Sequence, residues 1–122
     1  MKKTEIIKKN YEFKYFFKKG DYFSGKYLEI FVHTNKLEKN RLGIVISKKV
    51  GNSVVRHRIR RLILESYSAV EKDLSNINIL ICWKKKVKFD KNLSFFDVKY
   101  DLENILRKVN IVKNEENTII SD

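Results

Sequence analysis

Residues 41–62 read RLGIVISKKVGNSVVRHRIRRL and contain a change of pattern that predicts how this part of the chain folds. Residues 42–47 are nearly all apolar and β-branched, which is typical of a strand covered on both faces. After Gly51, either Asn52 or Ser53 can cap a helix. Its apolar positions share a helical period and continue to about residue 70: Val55, Ile59, Leu62, Ile63, Ser66 and Val70.

The segment that follows predicts a parallel βαβ unit. Residues 77–83 form another apolar run of strand length. Neighbouring parallel strands need a long crossover connection, usually a helix, because a short hairpin can join only antiparallel strands. The helix between these two strands can supply such a crossover. The basic helix is therefore expected to be the crossover of the unit.

Three more elements are predicted outside this unit. Asn10 can cap a helix over residues 10–18, in which phenylalanines recur at helical spacing. Residues 27–33 alternate as a strand with two different faces. Ser94 and Asp97 form a helix start, and apolar residues then repeat over 95–109.

The order helix, strand, strand, helix, strand, helix predicts an α+β fold, a two-layer sandwich with helices packed on one mixed β-sheet. A chain of 122 residues fits one domain. We expect residues 1–122 to form that single domain, ordered over about 8–112. The polar residues from about 113 to 122 lack a strong period and predict a frayed tail.

The composition narrows the class of partner. The chain carries 27 Lys and Arg against 15 Asp and Glu, a formal charge of +12, and such a field attracts polyanions such as nucleic acid. No run approaches the roughly 18 apolar residues of a membrane span, and the start lacks a signal peptide, so a cytoplasmic protein without a membrane partner is expected. Cys82 is the single cysteine and lies in an apolar run, which predicts a packing role.

Two-thirds of the net charge lies in one segment. Between Lys39 and Leu64 there is no acid and there are eight cations: Lys39, Arg41, Lys48, Lys49, Arg56, Arg58, Arg60 and Arg61. Arginines in the first turns of a helix are unfavourable beside its partial positive charge, unless an external anion binds there. A solvated charged face is the alternative, but arginine also supplies a planar fork for phosphate. The pattern favours an RNA-binding helix.

At residues 41–62 the sequence resembles the bacterial ribonuclease P protein family. The strand, the Ser-Lys-Lys run, the Gly-Asn turn and the arginine spacing all agree with the family's signature, and the likeness covers roughly residues 8–109. His57 stands where the family usually has Asn, and Leu64 where it often has a basic residue.

The resemblance implies a division of labour between this chain and RNA. The protein would bind the ribonuclease P RNA and the 5′ leader of precursor tRNA, and assist removal of the leader. The RNA would carry catalysis and hold most of the Mg²⁺. No catalytic or metal-binding residue is therefore expected in the chain, and no obligate protein partner is expected. By the family pattern, contacts to the catalytic RNA come from Lys48, Lys49, Asn52, Arg56, His57, Arg58, Arg60 and Arg61. The leader contacts come from Lys9, Phe13, Phe17 and Phe31.

The residues alone leave two roles open for the phenylalanines. Strand alternation places Phe31 with Tyr27 and Glu29, opposite a better core face of Leu28, Ile30 and Val32. An exposed aromatic on a sheet can stack on a splayed base, whereas a buried one only packs. Phe13, Phe17 and Phe31 are therefore candidates for either role.

Other function classes fit the sequence less well. A self-sufficient nuclease needs clustered His, Asp or Glu, yet the only histidines are His33 and His57, and no acid accompanies the latter. A ribosomal or other structural RNA-binding protein is compatible with the composition. A DNA-binding module is disfavoured because no second-helix motif or dimer heptad is recognisable.

Overall fold

The computed structural model describes the backbone of residues 4–121 and the side chains of residues 4–109. The strands are β1 (Thr4–Ile6), β2 (Asp21–Ser24), β3 (Leu28–Thr34), β4 (Asn40–Val45) and β5 (Ile77–Trp83). The helices are α1 (Asn10–Lys19), α2 (Ser53–Val70) and α3 (Phe95–Ser121), with short 3-10 helices at Lys48–Val50 and Glu71–Asp73. No helix in this part of the chain is both long and apolar enough to cross a membrane.

The five strands form one mixed sheet in the order β1-β4-β5-β3-β2. β4 pairs with β5 in parallel, with Leu42 opposite Ile79, and α2 connects the two strands. β5 pairs with β3 antiparallel, with Ile81 opposite Ile30. The α+β class, the mixed sheet and the parallel βαβ unit are thus confirmed.

The main core lies between the sheet and the helices α2 and α3. Ile59, Ile63 and Tyr67 of α2 are fully buried, and Leu102 and Ile105 of α3 join them. Burying a side chain of this size stabilises a fold by about 1.5–3 kcal/mol. The apolar stripe predicted for α2 is confirmed at its central positions, while Tyr67 was not predicted.

Helix α1 packs against the opposite face of the sheet. Its fully buried Phe16 forms a second, smaller cluster with Ile7, Leu80 and Cys82. Burial raises the pKa of the Cys82 thiol to about 12, in agreement with the packing role predicted for this residue. The helices are therefore divided between the two faces of the sheet, which the order of elements did not show.

The carboxylate of Asp101 ties α3 to the turn between β2 and β3. It is buried and accepts hydrogen bonds from the backbone N–H groups of Lys26, Tyr27 and Leu28, at 2.6, 2.8 and 3.0 Å. A Cβ atom at Gly25 would lie 2.4 Å from a carboxylate oxygen of Asp101, so glycine is needed for this close approach. This contact positions β3 relative to the α3 side of the core.

Several predicted boundaries are wrong by a few residues. Lys9, not Asn10, is the N-cap of α1. β4 begins and ends two residues before the predicted 42–47, because Ser47 accepts a hydrogen bond from the Lys49 N–H at 3.2 Å and starts a 3-10 helix. By contrast, the predicted start at Ser94 is confirmed, since the Ser94 N–H donates to the Asp97 carboxylate at 2.9 Å.

The end predicted for α3 at residue 109 is also wrong. The helical backbone continues to Ser121, through most of the segment predicted as a tail. The loss of apolar period beyond 109 did not mark a helix end, because no glycine or proline follows to interrupt the backbone.

Candidate nucleic-acid interface

The first half of α2 presents its basic side chains to solvent. His57, Arg58, Arg60 and Arg61 are exposed, and Arg56 is half-buried. None of the ion pairs formed among residues 4–109 involves a cation of α2. The positive charge of this surface is therefore not neutralised by the described part of the chain.

The segment before α2 adds two cations to this surface. The 3-10 helix Lys48–Val50 follows directly from β4, and both of its lysines are exposed. Asn52 is then the N-cap of α2, where its side-chain oxygen accepts from the Val55 N–H at 3.0 Å. The structure thus gives Asn52 a local role, and its contact with RNA stays a prediction.

The basic residues of α2 lie on two sides of the helix. Arg56, His57 and Arg60 line a hollow of about 240 Å³ together with Ile46 and Ser53. The Nε atom of Arg56 is buried and has no hydrogen-bond partner among the described residues. On the other side, Arg58 and Arg61 face the segment that precedes α3.

Two of the eight cations counted in the acid-free segment have acid partners from elsewhere in the fold. Arg41 forms ion pairs with Glu5 of β1 and Glu12 of α1, and Lys39 pairs with Glu5. The acid-free stretch of sequence therefore overstates the positive charge contributed by Lys39 and Arg41. The unneutralised cations are the six that follow β4: Lys48, Lys49, Arg56, Arg58, Arg60 and Arg61.

An aromatic cleft of about 240 Å³ lies between α1 and the sheet. Phe17 and Phe31 meet edge to face in it, with ring centroids 4.9 Å apart, and Tyr22 lies 5.3 Å from Phe31. Phe17 is 43% exposed, whereas Phe31 is half-buried. The remaining lining residues of the aromatic cleft are Glu29, Val45, Ser47, Cys82, Trp83 and Lys85.

Of the four residues predicted to contact the leader, only Phe17 and Phe31 line the aromatic cleft. Phe13 lies one turn before Phe17 and packs, half-buried, against the Phe16 cluster. Lys9 precedes α1, about 12 Å along the helix axis from Phe17 at 1.5 Å per residue, and its Nζ lies 5.8 Å from the ring centroid of Tyr11. The structure therefore does not bring Lys9 into the aromatic cleft.

The aromatic cleft and the basic surface adjoin each other. Ser47 lines the cleft and is also the N-cap of the 3-10 helix that carries Lys48 and Lys49. Since β4 and β5 are parallel, both end at this edge of the sheet, where β5 leads into the cleft residue Lys85. The lysines of the 3-10 helix therefore adjoin the aromatic cleft.

The sequence matches the model of a known protein family. The family model described as Ribonuclease P matches residues 1–110. The chain belongs to the ribonuclease P protein family. RNA binding and tRNA processing follow from this membership. The family is the protein component of an endoribonuclease, and this chain is therefore such a component. The resemblance seen at residues 41–62 is confirmed.

Two relatives in this family match the chain over nearly their whole length. The chain is 38% identical to the ribonuclease P protein component of Clostridium botulinum (strain 657 / Type Ba4) over 110 residues, covering 89% of this chain and 97% of the relative. It is 36% identical to that of Clostridium acetobutylicum over 119 residues, covering 96% and 98%.

Solved structures support the same assignment. The ribonuclease P protein of Staphylococcus aureus superposes with a TM-score of 0.74 at 28% identity, covering 85% of this chain and 94% of that one. The protein from Thermotoga maritima gives a TM-score of 0.76 at 24% identity over 85% and 96% of the two chains, which shows the shared fold.

Several residues that line these surfaces were not predicted from the sequence. Ile46 and Ser53 border the hollow beside Arg56, and Phe89 and Lys91 face Arg58 and Arg61. A signal was present, because residues 84–91 contain five lysines and a single acid, Asp90. That run was not recognised since its lysines show no helical or strand period.

The carboxylates and histidines of the described residues are dispersed. No group of three or more His, Cys, Asp and Glu side chains that could hold a metal ion is found among residues 4–109. Asp101, the buried carboxylate of α3, is already engaged by three backbone N–H groups.

His33 lies on the α1 face of the sheet, beside Tyr15 and Phe16. Its Nε2 accepts from the Asn78 amide at 2.8 Å, while the Asn78 oxygen accepts from Asn35 at 2.9 Å. Burial lowers the pKa of His33 below its ordinary value of 6.5; the Asp21 carboxylate raises the pKa by a smaller amount and the Lys19 charge lowers it further. Protonation would also turn the Nε2 acceptor into a donor that faces an amide donor.

This environment predicts how stability depends on pH. The unfolded chain takes up a proton on His33 at higher pH than the folded chain, so the free energy of unfolding should fall as the pH drops below about 6.5. Urea unfolding at pH 7.5 and 5.5 measures the fall, which should be smaller in His33→Gln because that variant cannot titrate. An equal fall in both proteins would show that His33 does not cause it.

Proposed function

We propose that this chain binds the catalytic RNA of ribonuclease P and the 5′ leader of precursor tRNA, and that it assists removal of the leader to give the mature 5′ end. The observation that carries the proposal is a set of six cations without ion pairs among the described residues, in the 3-10 helix Lys48–Val50 and the first half of α2, near an aromatic cleft. Phosphates and unpaired bases are the two groups that this combination recognises best.

The basic surface suits a folded RNA of high charge density. Arginine presents a planar fork to a phosphate, and the start of a helix adds a partial positive charge. Because Asn52 satisfies the Val55 N–H, this start is held in one geometry before any ligand arrives. We infer that Arg56, Arg58, Arg60 and Arg61 bind phosphates of the catalytic RNA.

The aromatic cleft suits a single strand. The bases of a leader are unpaired and can stack on Phe17 or Phe31, whereas those of the mature tRNA stem are already paired. Lys85 lines the same cleft and can meet the phosphate between two stacked bases. We infer that the cleft distinguishes precursor from mature tRNA.

We further propose that catalysis belongs to the RNA, which would also hold most of the Mg²⁺. The described part of the chain groups no set of ligands for the metal. The contribution of the protein would then be to hold the RNA and the leader together. Its binding energy would reduce the amount of Mg²⁺ needed to screen the phosphates of both RNAs.

Reconstitution tests this division of labour. The isolated, RNA-free protein should not cleave precursor tRNA at any Mg²⁺ concentration. With a bacterial ribonuclease P RNA added, cleavage should appear at lower Mg²⁺ than with the RNA alone. Gel analysis of the released leader measures both results.

Two outcomes would contradict the proposal. Cleavage by nuclease-free protein without RNA would assign catalysis to the chain. An unchanged Mg²⁺ requirement, together with purification of the protein on ribosomal RNA, would favour a structural RNA-binding role instead.

A further inference from the structure

A second groove, of about 300 Å³, lies between α2 and the segment that precedes α3. We call it the α2 groove. It is lined on the helix side by Arg58, Arg61, Leu62 and Glu65, and on the other side by Phe89, Lys91 and Leu93. None of these residues lines the aromatic cleft or the hollow beside Arg56.

The α2 groove combines a cationic rim with an apolar floor. Three cations, Arg58, Arg61 and Lys91, are exposed beside one exposed acid, Glu65. Phe89 and Leu93 are half-buried and pack against the main core. The ring centroids of Phe89 and Trp83 are 6.5 Å apart, so Phe89 packs beside the last residue of β5. An aromatic ring between cations fits a nucleobase with its flanking phosphates.

The far wall of the α2 groove has a defined geometry. The Trp83 indole N–H donates to the Val87 carbonyl at 3.0 Å, and the Leu93 N–H donates to the Asp90 carbonyl at 2.9 Å. The Asp90 carboxylate accepts a hydrogen bond from the Asn92 N–H at 2.9 Å, within the turn that contains both residues. Lys91 is thereby presented toward α2 without an ion pair among the described residues.

The helical positions explain why this is a separate contact. Residues 58, 61, 62 and 65 recur at i, i+3, i+4 and i+7, and therefore share one side of α2. Arg56 and Arg60 lie across the helix, beside Ile46. The α2 groove and the hollow beside Arg56 are therefore separate surfaces on different sides of the helix.

We propose that the α2 groove binds an unpaired nucleotide of the catalytic RNA, with its base on Phe89 and its phosphates at Arg58, Arg61 and Lys91. The proposal rests on the proposed function of α2. The catalytic RNA is the occupant because the groove continues the helix surface assigned to that RNA. The leader is assigned to the aromatic cleft, which has no lining residue in common with it.

Two variants and a matched control test the groove through affinity for the catalytic RNA. Lys91→Gln should lower the salt dependence of binding by a slope of roughly 0.7–0.9, since one phosphate contact is lost. Phe89→Leu should weaken binding roughly 5- to 100-fold with an unchanged slope, because stacking does not release counterions. Lys36→Gln makes the same change of charge at an exposed residue outside every surface described above and should alter neither quantity.

A cross-link identifies the occupant independently of folding effects. A photoreactive group attached to Lys91→Cys should react with the catalytic RNA in the assembled complex with precursor tRNA. The native Cys82 is buried, so it does not compete for the reagent. Cross-linking to the leader or to protein, or no cross-link, would overturn the assignment.

The outcomes separate this inference from the proposed function. If Arg56→Gln and Arg60→Gln weaken RNA binding but Lys91→Gln and Phe89→Leu do not, the α2 groove is not a nucleotide site and the role of α2 stands. If none of the four variants weakens binding, both are wrong. A lower melting temperature of Phe89→Leu would leave Lys91→Gln and the cross-link as the deciding measurements.

Discussion

Simultaneous replacement of Arg56, Arg58, Arg60 and Arg61 by Gln is expected to lower the affinity for the catalytic RNA about a thousandfold at 0.1 M salt. Each lost phosphate contact removes a salt slope of roughly 0.7–0.9, so four contacts amount to about three powers of ten between 1 M and 0.1 M salt. Glutamine keeps the helix propensity of arginine, and these arginines have no ion pair in the described structure to lose. Filter binding over a salt series, with circular dichroism of the variant, measures the effect.

A control for net charge is available in the same protein. Arg60→Gln with Arg61→Gln removes two charges from α2, and Lys36→Gln with Lys72→Gln removes two exposed charges elsewhere. The first pair should flatten the salt dependence by a slope of about 1.4–1.8, and the second should have little effect. Equal effects of both pairs would mean that the RNA responds to overall charge and not to this helix.

Phe31→Ala is expected to weaken binding of precursor tRNA to the reconstituted complex by roughly 5- to 100-fold, while binding of mature tRNA hardly changes. A base–aromatic stack is worth about 1–3 kcal/mol, and mature tRNA has no leader to stack. Phe31 packs against Phe17 and Tyr22 but is only half-buried, so part of its ring remains accessible to a base. Affinities for both RNAs and the melting temperature measure the result.

A second aromatic truncation provides the comparison. Phe96 of α3 is 72% exposed and lies outside the aromatic cleft, so Phe96→Ala should leave both affinities unchanged. If Phe31 served only as core, its truncation would cost stability, up to about 3–5 kcal/mol for a fully packed site. Equal loss of precursor and mature tRNA binding with a much lower melting temperature would indicate that role.

The sequence predicted best the elements whose signals are local. The apolar period of α2, a cap at Asn52 or Ser53 and the paired Ser94 and Asp97 each act within a few residues. The structure contains all three and places the cap at Asn52. The alternation of β3 also placed Leu28, Ile30 and Val32 in the core and Phe31 on the other face. Such patterns report burial directly, because one side of each element must leave water.

The sequence did not predict the short strands at the sheet edges. β1 has three residues and β2 has four, too few to show an alternation, and they pair with segments up to 36 positions away. The placement of α1 on the opposite face was equally hidden. It depends on Gly20, where an added Cβ would lie 2.8 Å from the Cβ of Phe31.

By itself, the sequence determined the α+β class, the basic crossover helix and its preference for a polyanion, since propensity, period and charge are properties of neighbouring residues. Only the tertiary structure decided which cations stay unneutralised, because Glu5 and Glu12 reach Arg41 from other elements. It also decided that Phe89 and Lys91 face Arg58 and Arg61. Contacts between residues that are distant in sequence depend on how whole elements pack, and local patterns in the sequence do not predict them.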